Sequence, residues 1–536
     1  MKKIVSLLII IFGVLANAQE DAWVYFTDKP DMQYYLDNPL EMLSQRALDR
    51  RTLQNIALDA KDVPVHEAYI NQIAGIPGIT VMAKSKWLNA LHVRGSQQNI
   101  DLLTDFVFVQ NIEFANKFIN TALRGISENN IVNKTLETTL NYNYGTSANQ
   151  VQMLNGHLLH QQGYTGTGKI IAVMDAGYPG VNTAQPFQKL HDNNLILGGY
   201  NFVARNSNIY TSNSHGTLVL STMGGYKENQ LIGTAPDAQY YLFITEDTST
   251  ENPVEESYWV EAAELADSLG VDIINTSLGY FDFDNAAYNY TYQDINGQTA
   301  FITRGANIAF SRGMICVTSA GNSGNSSSPH IGVPADAFNT LAVGSVTANG
   351  LYSSFSSTGN TQDGRVKPDV MAQGTAAVVS DTSGNIGTAN GTSFSSPITA
   401  GLVACLWQAL PDKTNLEIIN LIKQSADRFN NPTIQYGYGI PDFNLALSQA
   451  LSIDGVKNTA SVVLYPNPAE KEIYFLLPEN TLSASIKLFN SLGQLMIEQT
   501  IYSDQPSTLI ENLSSGIYHY IIQLSETKIS GKLVKN

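Results

Sequence analysis

"IIAVMDAG", residues 170–177, is five apolar residues, an aspartate and a small Ala-Gly pair. A short apolar run closed by a polar residue reads as a buried strand with a charge at its end. Four more runs share the form: AQYYLFITE (238–246), VDIINTSLG (271–279), GMICVTSAG (313–321) and TLAVGSV (340–346). Between them, YWVEAAELADSLG (258–270) and TAFITRGANIAFSRG (299–313) carry apolar residues at helical spacing. Strands alternating with helices predict an α/β fold, a parallel sheet covered on both faces by helices. In such sheets the chemistry sits at the carboxyl ends of the strands. This pattern occupies residues 140–452.

Different patterns flank it. Residues 19–135 combine a helix-like, charge-studded stretch, EMLSQRALDRRTLQNIA (41–57), with the alternating runs GITVMAKSKWLNALHVRG (78–95) and DFVFVQNIEFA (105–115). That predicts a small α+β domain. A polar stretch with little periodicity, residues 124–147, reads as a linker. From 458 to 536, about seven short strands separated by turn residues, from SVVLYPNP (461–468) to ISGKLVKN (529–536), predict a β-sandwich.

Composition narrows the setting. The chain has 536 residues, 43% hydrophobic and 14% charged, so it can bury a sizeable core. A net charge of −17 and a pI near 4.8 argue against nucleic acid as a partner. Residues 1–18 have the form of a signal peptide: Lys2 and Lys3, an apolar stretch from Ile4 to Leu15, then Ala16-Asn17-Ala18. No other run reaches the length of a membrane-spanning helix. The two cysteines, Cys316 and Cys405, sit in apolar runs and read as buried small hydrophobes, without a bridge.

Two stretches resemble sites and are set aside. GYTGTGKI (163–170) approaches a phosphate-binding loop but has Ile170 where a hydroxyl must hold Mg²⁺, and it leads into a strand. It reads as a turn. His157 and His160, three apart in GHLLHQ, lack an accompanying acid and read as helix-surface residues. No G-x-S-x-G elbow occurs.

ANGTSFSSPITAGLVACL (389–406) places three serines in four positions ahead of a helix-like run. A serine nucleophile needs a base beside it and a third group to orient that base. His215, in SNSHGTLVLSTMGG (212–225), and Asp175, at the end of the opening strand, are the candidates. Pro397 fits the first turn of a helix, which puts Ser393 at the N-terminus, where unpaired N–H groups favour an oxyanion.

The order Asp175, His215, Ser393 is that of the subtilisins. AVMDAGYPG (172–180), SHGTLV (214–219) and NGTSFSSP (390–397) resemble the three catalytic motifs of the subtilisin-like serine peptidases, and SLGY (277–280), SAGNSG (319–324) and GTAPDA (233–238) resemble further motifs in their places. The resemblance implies that Ser393 is the nucleophile, His215 the general base and acid, and Asp175 the group that orients and stabilises the imidazolium. It implies that Asn322 donates to the oxyanion beside the Ser393 N–H. Ser277, Leu278 and Gly279 would pair with an extended substrate, Ala320 and Gly321 would line it, and Gly332 in IGVPAD would floor a roomy, apolar S1 pocket suited to large hydrophobic P1 side chains. Two departures stand out: Phe394 where many subtilisins carry Met, and Leu220-Ser221 where the family usually has Ala-Gly.

By the same resemblance residues 19–135 are a prodomain that assists folding and covers the cleft until cut away within 125–141. LYPNPAEKEIYF (464–475), IKLFNSLGQLM (486–496), NLSSGIYHYIIQL (512–524) and KISGKLVKN (528–536) resemble the C-terminal sorting domain of the Bacteroidetes type IX secretion system. The expectation is a monomeric serine endopeptidase, secreted or held on the outer-membrane surface. Its partners are protein and peptide substrates, its own prodomain and the secretion machinery. No cofactor is required. The acidic loop FDFDN (281–285) reads as solvated charge, with a structural Ca²⁺ ion as the alternative. Two other readings compete: a catalytically silent surface-binding protein or adhesin on the same fold, and a serine esterase of another fold, which the motif order and the missing elbow oppose.

Overall fold

The computed structural model describes residues 19–119, 142–454, 463–465, 467–476, 483–491, 493–502, 507–524 and 528–536. The signal peptide at 1–18 and the cut within 125–141 lie outside the described residues. The chain forms two compact units that divide between Leu451 and Ser452.

The first unit opens with a four-stranded antiparallel sheet of β1 (Gln19–Phe26), β2 (Ile79–Ser85), β3 (Ala90–Ser96) and β4 (Val109–Phe114), in the order β2-β3-β1-β4. Helices α1 (Gln45–Leu53) and α2 (Glu67–Ala74) accompany it. Strand alternation splits β1 between two surroundings. Ala22, Val24 and Phe26 face a core shared with Leu91, Val93 and Ile73. Trp23 and Tyr25 face the second layer described below.

Next comes a seven-stranded, wholly parallel sheet: β5 (Ile170–Asp175), β6 (Ile196–Asn201), β7 (Gln239–Ile244), β8 (Ile273–Thr276), β9 (Ile315–Ser319), β10 (Leu341–Val346) and β11 (Val370–Gln373). The order is β11-β10-β9-β8-β5-β7-β6. The five apolar runs are its central strands. The edge strands β6 and β11 carry weaker sequence signals, one because Gly198 and Gly199 interrupt it and the other because it is four residues long.

The pleat sorts the core into two layers. Ile171, Val173, Ile273, Val317 and Val343 pack with Val219 and Leu220 of α3 (His215–Gly224) and Ile398, Leu402 and Val403 of α6 (Thr392–Ala409). Ile170, Ala172, Met174, Ile274, Cys316 and Ala342 pack with Val260 and Ala263 of α4 (Val254–Leu269) and Phe301 and Ala306 of α5 (Phe301–Ser311). Cys316 and Cys405 are both buried and free.

The second unit holds seven strands among its described residues. Three (Val463–Tyr465, Glu472–Leu476, Ser507–Leu509) form one antiparallel sheet, and four (Ser483–Phe489, Leu495–Tyr502, Gly516–Gln523, Lys528–Lys535) form another. Ile473 and Phe475 from one sheet and Ile486, Leu488, Ile522 and Leu533 from the other share a core, the expected sandwich. Among the described residues no helix is long and apolar enough to cross a membrane.

Two local expectations need correction. His160 is not a surface residue: its imidazole is buried, bonded to the Tyr144 hydroxyl at 2.7 Å and the Thr234 carbonyl at 2.9 Å, and burial pushes its pKa down to about 4. Tyr144 and Thr234 close over the ring, while its helix, Gly156–Gln161, packs on Leu402 through Gly156. Pro397 is not in the first turn either, because α6 begins at Thr392 and runs on through it. The inference drawn from it holds nonetheless, since Ser393 lies in the first turn.

Candidate active site

The two-residue period of β5 that turns Ile171 and Val173 toward α3 and α6 turns Asp175 the same way. β5 is also where the winding reverses, with β7 and β6 on one side and β8 to β11 on the other. Ligands bind at such switch points, outside the carboxyl ends of the strands. His215 opens α3 and Ser393 stands in the first turn of α6, so three distant residues reach one rim.

Asp175 is fully buried, and its Oδ1 accepts from the Ala176 N–H and from His215 Nδ1, both at 2.7 Å. With Nδ1 protonated, His215 Nε2 keeps a free lone pair. The Asp175 charge raises the His215 pKa above its usual value, against burial, with further help from the hydrogen bond and from the Glu246 carboxylate. Gly216 follows because a Cβ there would meet the Gly177 carbonyl oxygen at 2.6 Å and the Tyr178 ring at 2.7 Å. The His-Gly pair is thus a packing requirement.

Among the three serines the choice is clear. Ser395 and Ser396 are fully buried, their hydroxyls donating to the Thr392 carbonyl and to Asn275 Oδ1. Ser393 keeps a small exposure, and its hydroxyl donates to the Ser277 carbonyl at 3.1 Å. Among the described residues no hydrogen bond joins Ser393 to His215, whose ring bonds to Asp175.

Asn322 is held by Thr392, whose N–H and hydroxyl both donate to Asn322 Oδ1, at 2.9 and 3.0 Å. That fixes the carboxamide with Nδ2 turned outward. A carbon built on Gly391 would lie 3.7 Å from both Asn322 Nδ2 and the Ser393 nitrogen, so the two donors border one small space. Gly321, before Asn322, has a φ of +105°, which favours glycine.

Ser277, Leu278 and Gly279 follow β8 directly. Gly279 is exposed, and neither its N–H nor its carbonyl is paired among the described residues. Tyr280 and Val333 bond each other through their backbones, which brings Gly332 beside this stretch. A Cβ on Gly332 would meet the Tyr280 carbonyl oxygen at 3.0 Å. Ala320 is buried at the end of β9.

Sequence reasoning missed a supporting network. Asn275 Nδ2 donates to Ser277 Oγ at 3.2 Å, and Ser277 Oγ donates to the Ser393 carbonyl at 2.9 Å. The available signal was a polar Asn inside the apolar run VDIINTSLG. The unusual Leu220-Ser221 pair also has a use: Leu220 joins the core, and Ser221 Oγ accepts from the Ser380 N–H at 2.9 Å. As for metals, Asp282 and Asp284 of FDFDN accept hydrogen bonds from Asn289 and Glu251 within the loop region. Among the described residues the one group of three ligands able to share an ion is Glu246, Glu251 and Glu255, whose carboxylate oxygens lie within 4.8 Å of one another.

A parallel sheet bringing an Asp, a His and a helix-N-terminal Ser to one rim is the architecture of a serine peptidase. The chain belongs to the subtilase family, whose model matches residues 166–440. Residues 21–133 match the Peptidase S8 propeptide domain of Bacteroidota, and 463–536 the secretion system C-terminal sorting domain. The protein is therefore a serine-type endopeptidase of subtilase type with a propeptide and a type IX sorting tail, and it is secreted. Subtilisin E of Bacillus subtilis (strain 168) is 30% identical over 293 residues, 54% of this chain and 68% of that protein. Subtilisin amylosacchariticus of Bacillus subtilis subsp. amylosacchariticus matches to the same extent, 30% over 293 residues, 54% and 68%. Alkaline elastase YaB of Bacillus sp. (strain YaB) is 29% identical over 292 residues, 54% and 67%.

Proposed function

We propose that Asp175, His215 and Ser393 cleave peptide bonds through an acyl-enzyme. The observation that supports this most directly is the 2.7 Å bond from His215 Nδ1 to the buried Asp175, which leaves Nε2 basic at the rim where α6 begins. Ser393 rotates from the Ser277 carbonyl toward Nε2 and gives up its proton, and Oγ attacks the scissile carbonyl carbon. The tetrahedral oxyanion takes hydrogen bonds from the Ser393 N–H and Asn322 Nδ2. Collapse expels the amine, which receives the proton from His215. Water then repeats the sequence, freeing the carboxylic acid and regenerating Ser393.

Ser277, Leu278 and Gly279 pair with an extended substrate, Gly279 through an N–H and a carbonyl unpaired among the described residues, with Ala320 and Gly321 beside them. Gly332 makes room for a large hydrophobic P1 side chain. The chemistry needs no metal or cofactor. The prodomain inhibits in cis, and the mature monomer is either released or kept on the outer-membrane surface.

The test is to follow the intact mass of the purified precursor beside its Ser393→Ala variant. The wild type sheds an N-terminal fragment and then digests casein, while the variant does neither. If both stay whole and inert across pH and with added calcium, the silent binding protein becomes the better account.

A further inference from the structure

Helix α4 ends with the wrong charges. Cations favour a helix C-terminus, where carbonyls point outward, yet the last turn of α4 holds Asp267 and no basic residue. The missing cations come from α1, more than two hundred residues earlier in the chain. Arg46 donates to the Gly270 carbonyl at 2.9 Å and pairs with Asp272 at 2.5 Å. Arg50 donates to the Val271 carbonyl and pairs with Asp267. Arg51 pairs with the other oxygen of Asp267 at 2.7 Å and with Asp62 at 2.7 Å. From the catalytic side, Arg312 closes the network on Asp62 at 3.4 Å and Asp59 at 3.0 Å.

The network is buried, which separates it from ordinary surface ion pairs. The Arg51 side chain is 2% exposed, and those of Asp62 and Asp267 are 0%. A second group of contacts lies apart, around β1, β2 and β3. There Trp23 stacks on Phe301 at 4.8 Å, and Glu264 accepts from the Ser85 hydroxyl and the Lys86 and Trp87 N–H groups. Glu264 offers no arginine partner there. The prodomain therefore grips α4 twice, once by hydrogen bonds to Glu264 and once by charge at its C-terminal end.

We propose that α1 is a clamp whose partner is the C-terminal end of α4, and that it keeps the prodomain bound after the connecting chain is cut. The geometry separates holding from covering: the arginines touch neither Ser393 nor His215, yet removing Arg51 takes from buried Asp62 its 2.7 Å partner and from buried Asp267 one of its two. Asp62 is then left with the more distant Arg312, and Asp267 with Arg50 alone. Breaking a buried pair on one side is far costlier than losing a surface pair, and corresponds to about a 100-fold or greater loss of affinity. This inference rests on the reading of residues 19–135 as a prodomain that is severed from the catalytic domain.

The test uses the full chain with Ser393→Ala, so that it is independent of the proposed nucleophile, and with a recognition site for an added protease placed within 125–141. After cutting, prodomain loss is timed by size exclusion and native mass. The parent retains the prodomain, whereas Arg51→Gln loses it about 100-fold faster or more, and Asp267→Asn does the same from the other side. Arg46→Ala, at a partly exposed position, sheds it about tenfold faster. Melting of each uncut chain separates weakened docking from failed folding. Retention by the Arg46→Ala and Arg51→Gln chains as long as by the parent would overturn the clamp. A failure of the wild-type precursor to cut itself would instead count against the catalytic reading alone.

Discussion

Ser277 and Ser393 are bound to each other twice: Ser393 Oγ donates to the Ser277 carbonyl at 3.1 Å, and Ser277 Oγ donates to the Ser393 carbonyl at 2.9 Å. The second bond has a cause four residues on. Pro397 has no N–H, so the Ser393 carbonyl lacks its donor within α6, and Ser277 supplies one. Ser277→Ala should leave a buried acceptor unpaired at about 1–3 kcal/mol. Pro397→Ala in the same chain should restore part of that loss by giving α6 its own donor. Urea unfolding of the two single variants and the double variant, each blocked with a serine-reactive inhibitor, measures the coupling. Strict additivity would refute it.

Asn322→Ala should reduce kcat by about 10²–10³-fold with little change in KM, a size taken from subtilisin itself. Because Thr392 orients Asn322 through two hydrogen bonds, Thr392→Val should show a smaller effect of the same kind. Steady-state kinetics on one peptide substrate separates the two constants.

The Asp175 charge raises the His215 pKa, and a general base works only when neutral. Activity should therefore fall as pH drops through a value above 6.5, the ordinary histidine pKa. Asp175→Asn should move that acid limb down while cutting kcat by about 10⁴-fold. For stability the sign is opposite: the charged pair contributes fully below the unfolded pKa and is lost as pH rises through the raised one. A kcat/KM profile and melting curves across pH check both.

Burial pushes Glu246 up to about 8, Glu251 to about 7 and Glu255 to about 9; the charge of Glu251 adds to the first and third, that of Glu246 to the third, and that of Asp284 to Glu251 itself. Between the ordinary carboxylate range and these values the folded state holds more protons than the unfolded one. Stability therefore falls as pH rises through that window. Glu251→Gln should flatten the fall and melt higher than wild type at pH 8, by about 1–2 °C for each kcal/mol relieved. A variant that melts as the wild type does at both pH 5 and pH 8 would count against the repulsion.

Phe394 lies 6.0 Å from the His215 ring, centroid to centroid, and offers no thioether beside the nucleophile. Peroxide should spare the wild type, and Phe394→Met should become sensitive, with a mass gain of one oxygen on that residue. Residual casein hydrolysis after timed exposure reads this out.

The order of motifs and the five central strands were legible in the sequence alone. Apolar runs closed by polar residues are local signals, and the pleat converts them into two layers without further information. Asp175 could be aimed at α3 and α6 by its parity with Ile171 and Val173 once the strand was recognised. Even the Asn inside VDIINTSLG was a readable anomaly, although its use was not.

What the tertiary structure decided is everything that depends on pairs far apart in the chain. Which of three serines stays reachable follows from Asn275 and Thr392 occupying the other two. His160 became a core residue because Tyr144 and Thr234 close over it. EMLSQRALDRRTLQNIA reads in sequence only as helix-like and charge-studded, and the use of its arginines depends on α4, which ends without cations of its own. Spacing along a chain reports periodicity. A charge is matched, or a polar atom satisfied, only by whatever folding brings within about 3 Å of it.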